Sequence, residues 1–445
     1  MASTAEQFAS SMSLGSFSKA TELKQRIWFT LGALLVYRIG TYIPVPGVDA
    51  AVIGEELARH SSGMLGMVNM FSGGALGRMT VLALNIMPYI SASIIVQLMS
   101  SAIPSLETLK KEGESGRKKL NQYTRYLTVL IALVQSYGMA VGLENLSNGT
   151  AVIEPGPFFI MSTIITLVGG TMFLMWLGEQ ITARGVGNGT SLIIFAGIVA
   201  NLPSALVNLL ELSRTGAMSP VFVLLFLAIA VLVVMFVVFM ERAQRRVVVQ
   251  YPKRQVGQRM FGGDSTHMPL KVNTAGVIPP IFASSLLLIP ATVAGFASND
   301  PNSWVSWIGG KFGYGEPAHL IAYGALIVFF SYFYTAVTFN PEETAENLKK
   351  YGGFIPGVRP GSNTADYFDR ILTRLTTVGA AYLCIVCMLP EILIARYGVP
   401  FYFGGTSLMI IVSVTMDTVT QIQSHLLAHQ YEGLIRKSKG KGRVR

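Results

Sequence analysis

Few residues in this chain have the type and spacing that covalent or metal chemistry would need. Cys384 and Cys387 stand three apart inside an apolar run and would share a helix face. A metal site would require further ligands at a recognised spacing, and none follow, so two small buried thiols are expected. His425 and His429 are four apart and would also share a face, but the basic residues around them point to two solvated histidines. No G-x-x-x-x-G-K-[ST] phosphate loop occurs, so any energy from ATP or GTP would have to arrive through a partner. Arg184-Gly-Val-Gly-Asn-Gly189 is rich in glycine but follows an apolar run rather than a strand, and reads as a tight turn. No catalytic residue, metal or cofactor is expected.

Ionisable groups inside the apolar runs are equally sparse. Arg38 sits about one turn from the end of the first run, where it can snorkel or pair instead of paying the roughly 2.5–3.5 kcal/mol assigned to a helix centre. Glu179, Glu241 and Glu391 fall at run ends, which leaves Asp417 as the carboxylate expected within the hydrocarbon. An ion-coupled transporter or lipid-linked flippase using Asp417 or Arg38 is therefore a rival reading. Such proteins usually place several ionisable groups near the midplane, and that signal is missing.

The elements that must hold these residues are membrane spans. Hydrophobic residues make up 51% of the chain and charged ones only 13%, which indicates a polytopic membrane protein. The first 25 residues are Ser/Thr-rich, without the apolar core and cleavage site of a removable signal peptide. Ten spans are expected, at about 27–43, 80–103, 124–143, 158–178, 190–210, 220–240, 274–296, 318–339, 371–391 and 405–424. With both termini inside, 28 of the 34 basic residues fall on the inner side, so the positive-inside rule fixes both termini as cytoplasmic.

The stretch from Gly63 to Leu106 departs from that pattern. Residues 63–76 are apolar and studded with glycine but too short to cross, as in a re-entrant segment. Residues 79–106 carry no charge, and Pro88 is expected to break the helical ladder a few turns in. Irregular backbone at membrane depth requires protein or a water-filled cavity around it, so a cavity is implied nearby. Ile86 and Ile90 share a face on either side of Pro88, and Ile194 lies four after Thr190. Taken singly, each isoleucine reads as facing lipid or a neighbouring helix.

Two inner loops are too large and too basic for simple connectors. Residues 241–273 contain Arg245, Arg246, Lys253, Arg254 and Arg259, interleaved with Val247-Val-Val249 and Tyr251 as in a short hairpin. Residues 340–370 run from Pro341-Glu-Glu, with acids leading and bases trailing as in a helix, into a Gly/Pro turn that carries Arg359. Contact with anionic lipid headgroups and docking of a large anionic partner, nucleic acid or acidic protein, both stand as readings.

Asn69-Met-Phe-Ser-Gly-Gly-Ala-Leu76 and Ile86-Met-Pro-Tyr-Ile-Ser-Ala-Ser-Ile94 resemble the SecY family, the channel subunit of the bacterial general secretion translocon. The match runs on through Gly116–Tyr126, Gly170–Gln180, Pro269–Pro279, Gly353–Gly361 and Phe403–Ser407, in order along the whole chain. This resemblance implies an all-α polytopic membrane protein, with ten transmembrane helices in two pseudosymmetric halves (spans 1–5 and 6–10) around a central pore. A cytoplasmic N-terminus (1–26) would precede the first half (27–210), a hinge loop (211–219), the second half (220–424) and a basic cytoplasmic tail (425–445).

The re-entrant segment would be the plug, with Met67, Asn69, Phe71, Ser72, Gly73 and Gly74 as its matching residues. Ile86, Ile90, Thr190, Ile194, Ile281 and Ile410 fall at the positions of the narrow pore ring, where Thr190 departs from the usual aliphatic residue. Ser91, Gln135 and Asn273 match the lateral gate, between spans two and three on one side and seven and eight on the other. Pro279 and Pro280 are expected to weaken the ladder of span seven and let it bend. The two basic loops match docking sites for the SecA ATPase and the ribosome with its RNA: Arg245, Arg246, Lys253, Arg254, Arg259 and Arg359. The resemblance further implies SecE and SecG as partners, signal-sequence-bearing preproteins as clients, membrane lipids, accessory insertion factors, and a place in the bacterial inner membrane. A passive protein-conducting channel that is not an enzyme is the expectation. A scaffold that recruits ribosomes without conducting is the remaining rival.

Overall fold

The computed structural model describes residues 21–59, 69, 72–145, 151–216, 219–251, 254–256, 259–261, 265–297, 316–397 and 405–441. Helices carry almost all of them: α1 Thr21–Gly40, α2 Ala50–Arg59, α3 Met87–Ala102, α4 Pro104–Lys111, α5 Glu114–Asn145, α6 Pro157–Arg184, α7 Gly189–Arg214 and α8 Pro220–Arg242. Strands β1 Gln244–Gln250, β2 Arg254–Val256, β3 Arg259–Phe261 and β4 Ser265–Lys271 follow, and then α9 Ile278–Ala297, α10 Pro317–Thr338, α11 Pro341–Lys350, α12 Ser362–Tyr397 and α13 Gly405–Lys441. Each of the ten expected spans coincides with a helix: α1, α3, α5, α6, α7, α8, α9, α10, α12 and α13.

Among the described residues, seven helices are long and apolar enough to cross a membrane, or eight if α3 and α4, bent by 104°, are one broken span. Large apolar side chains stay outward on α1, α6 and α8, Trp28, Leu35, Phe158, Ile165, Leu232 and Phe239 among them, as expected of surfaces solvated by hydrocarbon.

Two expectations about proline need correction. Pro88 does not interrupt a helix, because residues 72–86 are a chain of turns and α3 starts only at Met87. Pro279 and Pro280 likewise occupy the first turn of α9, which starts at Ile278. Amide groups in a first turn have no intrahelical acceptor, so all three prolines start helices instead of weakening them.

The described residues group into two compact units: those within Met1–Val96, Glu112–Val207 and Ile410–Arg445, and those within Gln97–Lys111 and Asn208–Met409. In the first unit a core of Val45, Val48, Leu76, Met79, Leu84, Leu143, Val152, Phe159 and Leu167 joins the turns to the ends of α5 and α6. A smaller core of Leu23, Val186 and Leu426 ties α1 and α13 to the α6–α7 turn. That turn is the expected tight one. Its amides are held by Thr30 Oγ1 at Val186 (3.0 Å), Gln421 Oε1 at Gly187 (2.9 Å) and Thr182 Oγ1 at Gly189 (2.9 Å).

In the second unit α9 packs on α10 and α10 on α12, with Phe282 edge-on to Phe330 and Tyr332 Oη bonded to Thr377 Oγ1 at 2.6 Å. Cys387 is buried as expected, whereas Cys384 is only half-buried; both are free thiols.

Candidate functional site: a buried turn segment and a basic hairpin platform

Residues 72–86 are the irregular backbone that the sequence implied, and protein surrounds them. Ala75, Met79, Ala83, Asn85 and Ile86 are each 2% exposed or less. Their polar backbone is paired locally and with residues 43–45, a stretch that Ile153 pairs with in turn through Gly47. Val45 N–H donates to Met79 O (2.9 Å) and Val81 N–H to Ile43 O (2.9 Å), while Ile153 N–H reaches Gly47 O (3.1 Å). Asn69 Oδ1 accepts from Gly77 N–H at 2.7 Å, and Ser72 Oγ accepts from Leu76 N–H at 3.2 Å. Val81 lies against α6 at Gly170, where a Cβ would collide with the Val81 carbonyl.

The start of the segment is gripped from α1. Arg38 Nη1 donates to Gly73 O at 2.8 Å, and Tyr37 Oη donates to Ser72 O at 3.3 Å. Arg78 folds back to the same carbonyl, with Nη2 at 3.0 Å, while its Nε donates to Gly74 O at 3.1 Å. Both guanidinium groups lie over the Tyr42 ring, with Cζ 5.0 Å (Arg38) and 4.1 Å (Arg78) from its centroid. Of the residues matched to a plug, Asn69, Ser72, Gly73 and Gly74 are described, and Met67 and Phe71 lie outside the described residues.

Ile86 and Ile90 are one turn apart, joined by the Ile90 N–H to Ile86 O bond at 3.1 Å, and both are buried. Thr190 and Ile194 are successive on one face of α7, half-buried and buried respectively. Ile410 is buried on α13 and Ile281 half-buried on α9. Ser91 is buried on α3, and Gln135 is half-buried on α5. Asn273 is buried with its amide committed, donating to Glu241 Oε1 at 2.6 Å and Gly276 O at 3.1 Å, so it pins the end of α8 to the approach to α9.

The two basic loops, separate in sequence, form one body. β1 and β4 pair antiparallel from Gln244↔Lys271 to Gln250↔Ser265, and β2 pairs with β3 beyond them. Gln250 and Phe354 exchange both backbone hydrogen bonds at 2.9 Å, which adds the second loop to the hairpin. Val247, Leu270, Ile355, Phe368 and Ile371 bury a shared core beneath. α11 is the expected helix, capped by Asn340 Oδ1 on Glu342 N–H (3.1 Å), with acids in its first turn and lysines in its last.

The turn after it is set by Gly357 (φ +84°) and Gly361 (φ +113°). It presents Arg359 to solvent while Thr364 Oγ1 donates to Arg359 O at 2.9 Å. Arg245 and Arg246 are exposed on β1, Arg254 and Arg259 stand on β2 and β3, and Lys253 lies outside the described residues.

Sequence reading missed one constellation. His319 Nδ1 on α10 and Glu391 Oε1 on α12 are 2.7 Å apart, with side chains 6% and 4% exposed. Tyr323 stacks on His319 and bonds Thr406 Oγ1 at 3.3 Å. Asp417, the carboxylate expected within the hydrocarbon, is exposed, and among the described residues the buried carboxylate is Glu391.

The family model for SecY matches residues 80–419. Over 427 residues the chain is 55% identical to "Protein translocase subunit SecY" of Rickettsia bellii (strain RML369-C), covering 95% of this chain and 98% of the relative. It is also similar to a solved structure described as "The plug domain of the SecY protein stablizes the closed state of the translocation channel and maintains a membrane seal", with TM-score 0.65, 19% identity, and 91% and 92% of the two chains covered. A second likeness is to Sec61 in the canine ribosome-channel complex from the endoplasmic reticulum, with TM-score 0.60, 17% identity, and 91% and 92% covered.

Proposed function

This chain belongs to the SecY family, and on that premise we propose that it is the channel subunit through which unfolded preproteins cross the inner membrane and apolar segments pass sideways into lipid. The observation that carries this reading is the unbroken correspondence, at 55% identity along 98% of the relative, to a protein translocase subunit. The buried turn segment supports it, because irregular backbone held at membrane depth has no task in a simple helical anchor.

In this reading Ile86, Ile90, Thr190, Ile194, Ile281 and Ile410 form a constriction. Apolar side chains close around an extended peptide and offer ions no ligands in place of their water, so the ring seals by withholding solvation. Asn69, Ser72, Gly73 and Gly74 belong to a plug that fills the outer mouth. A signal sequence parts α3 and α5 from α9 and α10, near Ser91, Gln135 and Asn273, and enters lipid by its own transfer free energy. The link at 211–219 acts as the hinge between the two halves.

Both termini and the basic platform face the cytoplasm. There Arg245, Arg246, Lys253, Arg254, Arg259 and Arg359 receive SecA or the ribosome, which supply direction, while SecE and SecG complete the complex. Arg359 is the residue best suited to pair bidentately with carboxylate or phosphate, since its backbone is fixed by two positive-φ glycines and the Thr364 bond.

The test is translocation of a secretory precursor into proteoliposomes with SecE and SecA, comparing the chain with Arg359→Glu. Protease protection that requires ATP and falls in the variant, with the complex still assembled, is expected. Equal translocation by both would remove the docking assignment, and no translocation by a folded, SecA-bound complex would overturn the channel reading.

A further inference from the structure

We infer that Arg38 and Arg78 are positioning residues that latch the plug's return strand through one shared acceptor, the Gly73 carbonyl, and so set how often the plug leaves its resting place. The inference rests on reading Asn69, Ser72, Gly73 and Gly74 as plug.

An arginine inside the first apolar run needs a partner, and the structure supplies a backbone oxygen instead of a carboxylate. Among the described residues no carboxylate pairs with either guanidinium. Gly73 (φ +67°) and Gly74 (φ +84°) are consecutive left-handed residues, a conformation that L side chains rarely adopt. Their carbonyls O73 and O74 together take three guanidinium bonds: Arg38 to O73, Arg78 to O73 and Arg78 to O74. A side chain at either position would also crowd the guanidinium that bonds there. A Cβ at Gly73 would lie 3.1 Å from Gly197 Cα and 3.2 Å from Arg38 Nη1, and one at Gly74 would lie 2.6 Å from Arg78 Nη2.

Two like charges on one acceptor repel each other. The Tyr42 ring offsets this by facing both guanidiniums, and its hydroxyl bonds Arg38 Nη2 at 3.0 Å. The two arginines differ in what they join. Arg38 straps α1 to the segment, whereas Arg78 braces the segment onto itself, five and four residues back. Losing Arg38 therefore frees the segment from α1, and losing Arg78 loosens the turn that presents the carbonyl. Because both act through O73, their effects are not additive.

The experiment uses the assembled translocase in planar bilayers and reads resting ion conductance without substrate for Arg38→Gln, Arg78→Gln, the double variant, Arg38→Lys and a variant lacking residues 64–70. A charge-assisted bond to one carbonyl corresponds to about a tenfold rise in resting open probability for Arg38→Gln. The double variant is expected to add little, and Arg38→Lys to fall between, since an ammonium can reach O73 but cannot also lie flat on Tyr42.

A second readout is alkylation of Leu76→Cys, in a Cys384→Ala/Cys387→Ala background, by an impermeant maleimide added from outside. Labelling is expected to quicken with Arg38→Gln. If the deletion raises conductance while Arg38→Gln changes neither conductance nor labelling, the latch is wrong and the plug reading stands. If the deletion itself changes nothing, the plug reading fails first. Strictly additive effects would overturn the shared acceptor.

Discussion

His319 and Glu391 show why single residues were the hardest scale to read. In the sequence Glu391 stands at the end of an apolar run, where a solvated carboxylate is unremarkable, and His319 stands at the start of another, so nothing local joins them. The structure puts them 2.7 Å apart, nearly closed to solvent and covered by Tyr323. Glu391→Ala takes the carboxylate from beside the buried His319 Nδ1 and should cost about 1–3 kcal/mol of stability. Asp417→Asn, at an exposed position on α13, should stay within about 0.5 kcal/mol. The check is the fraction of folded, assembled protein after heating in detergent. Translocation by Asp417→Asn should match the parent, and its loss would revive the ion-coupled rival. Arg38 was visible as an unusual residue, but its acceptor was not, because a carbonyl turned outward by two positive-φ glycines leaves no signature in residue type alone.

At the scale of elements, all ten spans were legible, because a run of about 20 apolar residues is a strong signal whatever packs against it. Their starting points were not, and the prolines show the reason. Hydropathy does not distinguish an apolar turn from an apolar helix, so Pro88 reads as inside a span when it sits in the first turn of one. A Pro88→Ala change should therefore shift stability by less than about 1 kcal/mol, whereas Ile94→Pro, inside α3, should cost about 3 kcal/mol or more. Thermal unfolding of the two variants side by side separates these outcomes.

The union of the two basic loops was likewise hidden, since a single bridge between Gln250 and Phe354 carries no local pattern. It has a mechanical consequence. Phe368 is fully buried under both loops, so Phe368→Ala should cost about 3–5 kcal/mol locally and free the hairpin from Arg359. Faster tryptic cleavage between β1 and β4, together with weaker binding of SecA, is expected while the spans stay assembled. Unchanged cleavage would show that the platform does not depend on that core.

At the scale of the whole molecule, the proposed function joins an apolar constriction to a basic face, and the two would fail differently. The proposed docking on the basic platform would be electrostatic and should weaken as salt rises. Sealing by the proposed isoleucine ring should not, because it would depend on denying ions a ligand rather than on charge. Ile86 and Ile194 are buried and apolar, and Thr190, one turn before Ile194, already brings a hydroxyl to the same face. Replacing Ile86 and Ile194 with serine keeps the side chains small enough to part for a peptide but supplies two more hydroxyls. Ion leak around an arrested translocating chain should therefore rise severalfold, a constriction of this kind being a dewetting gate. Leucine at the same two positions conserves volume and polarity and should leave the leak unchanged. The measurement is anion conductance of proteoliposomes holding a stalled precursor, at low and at high salt. A leak that rises equally with leucine would mean that shape rather than solvation makes the seal. A parent seal that gives way as salt rises would mean that the barrier is electrostatic and that the ring is not its source.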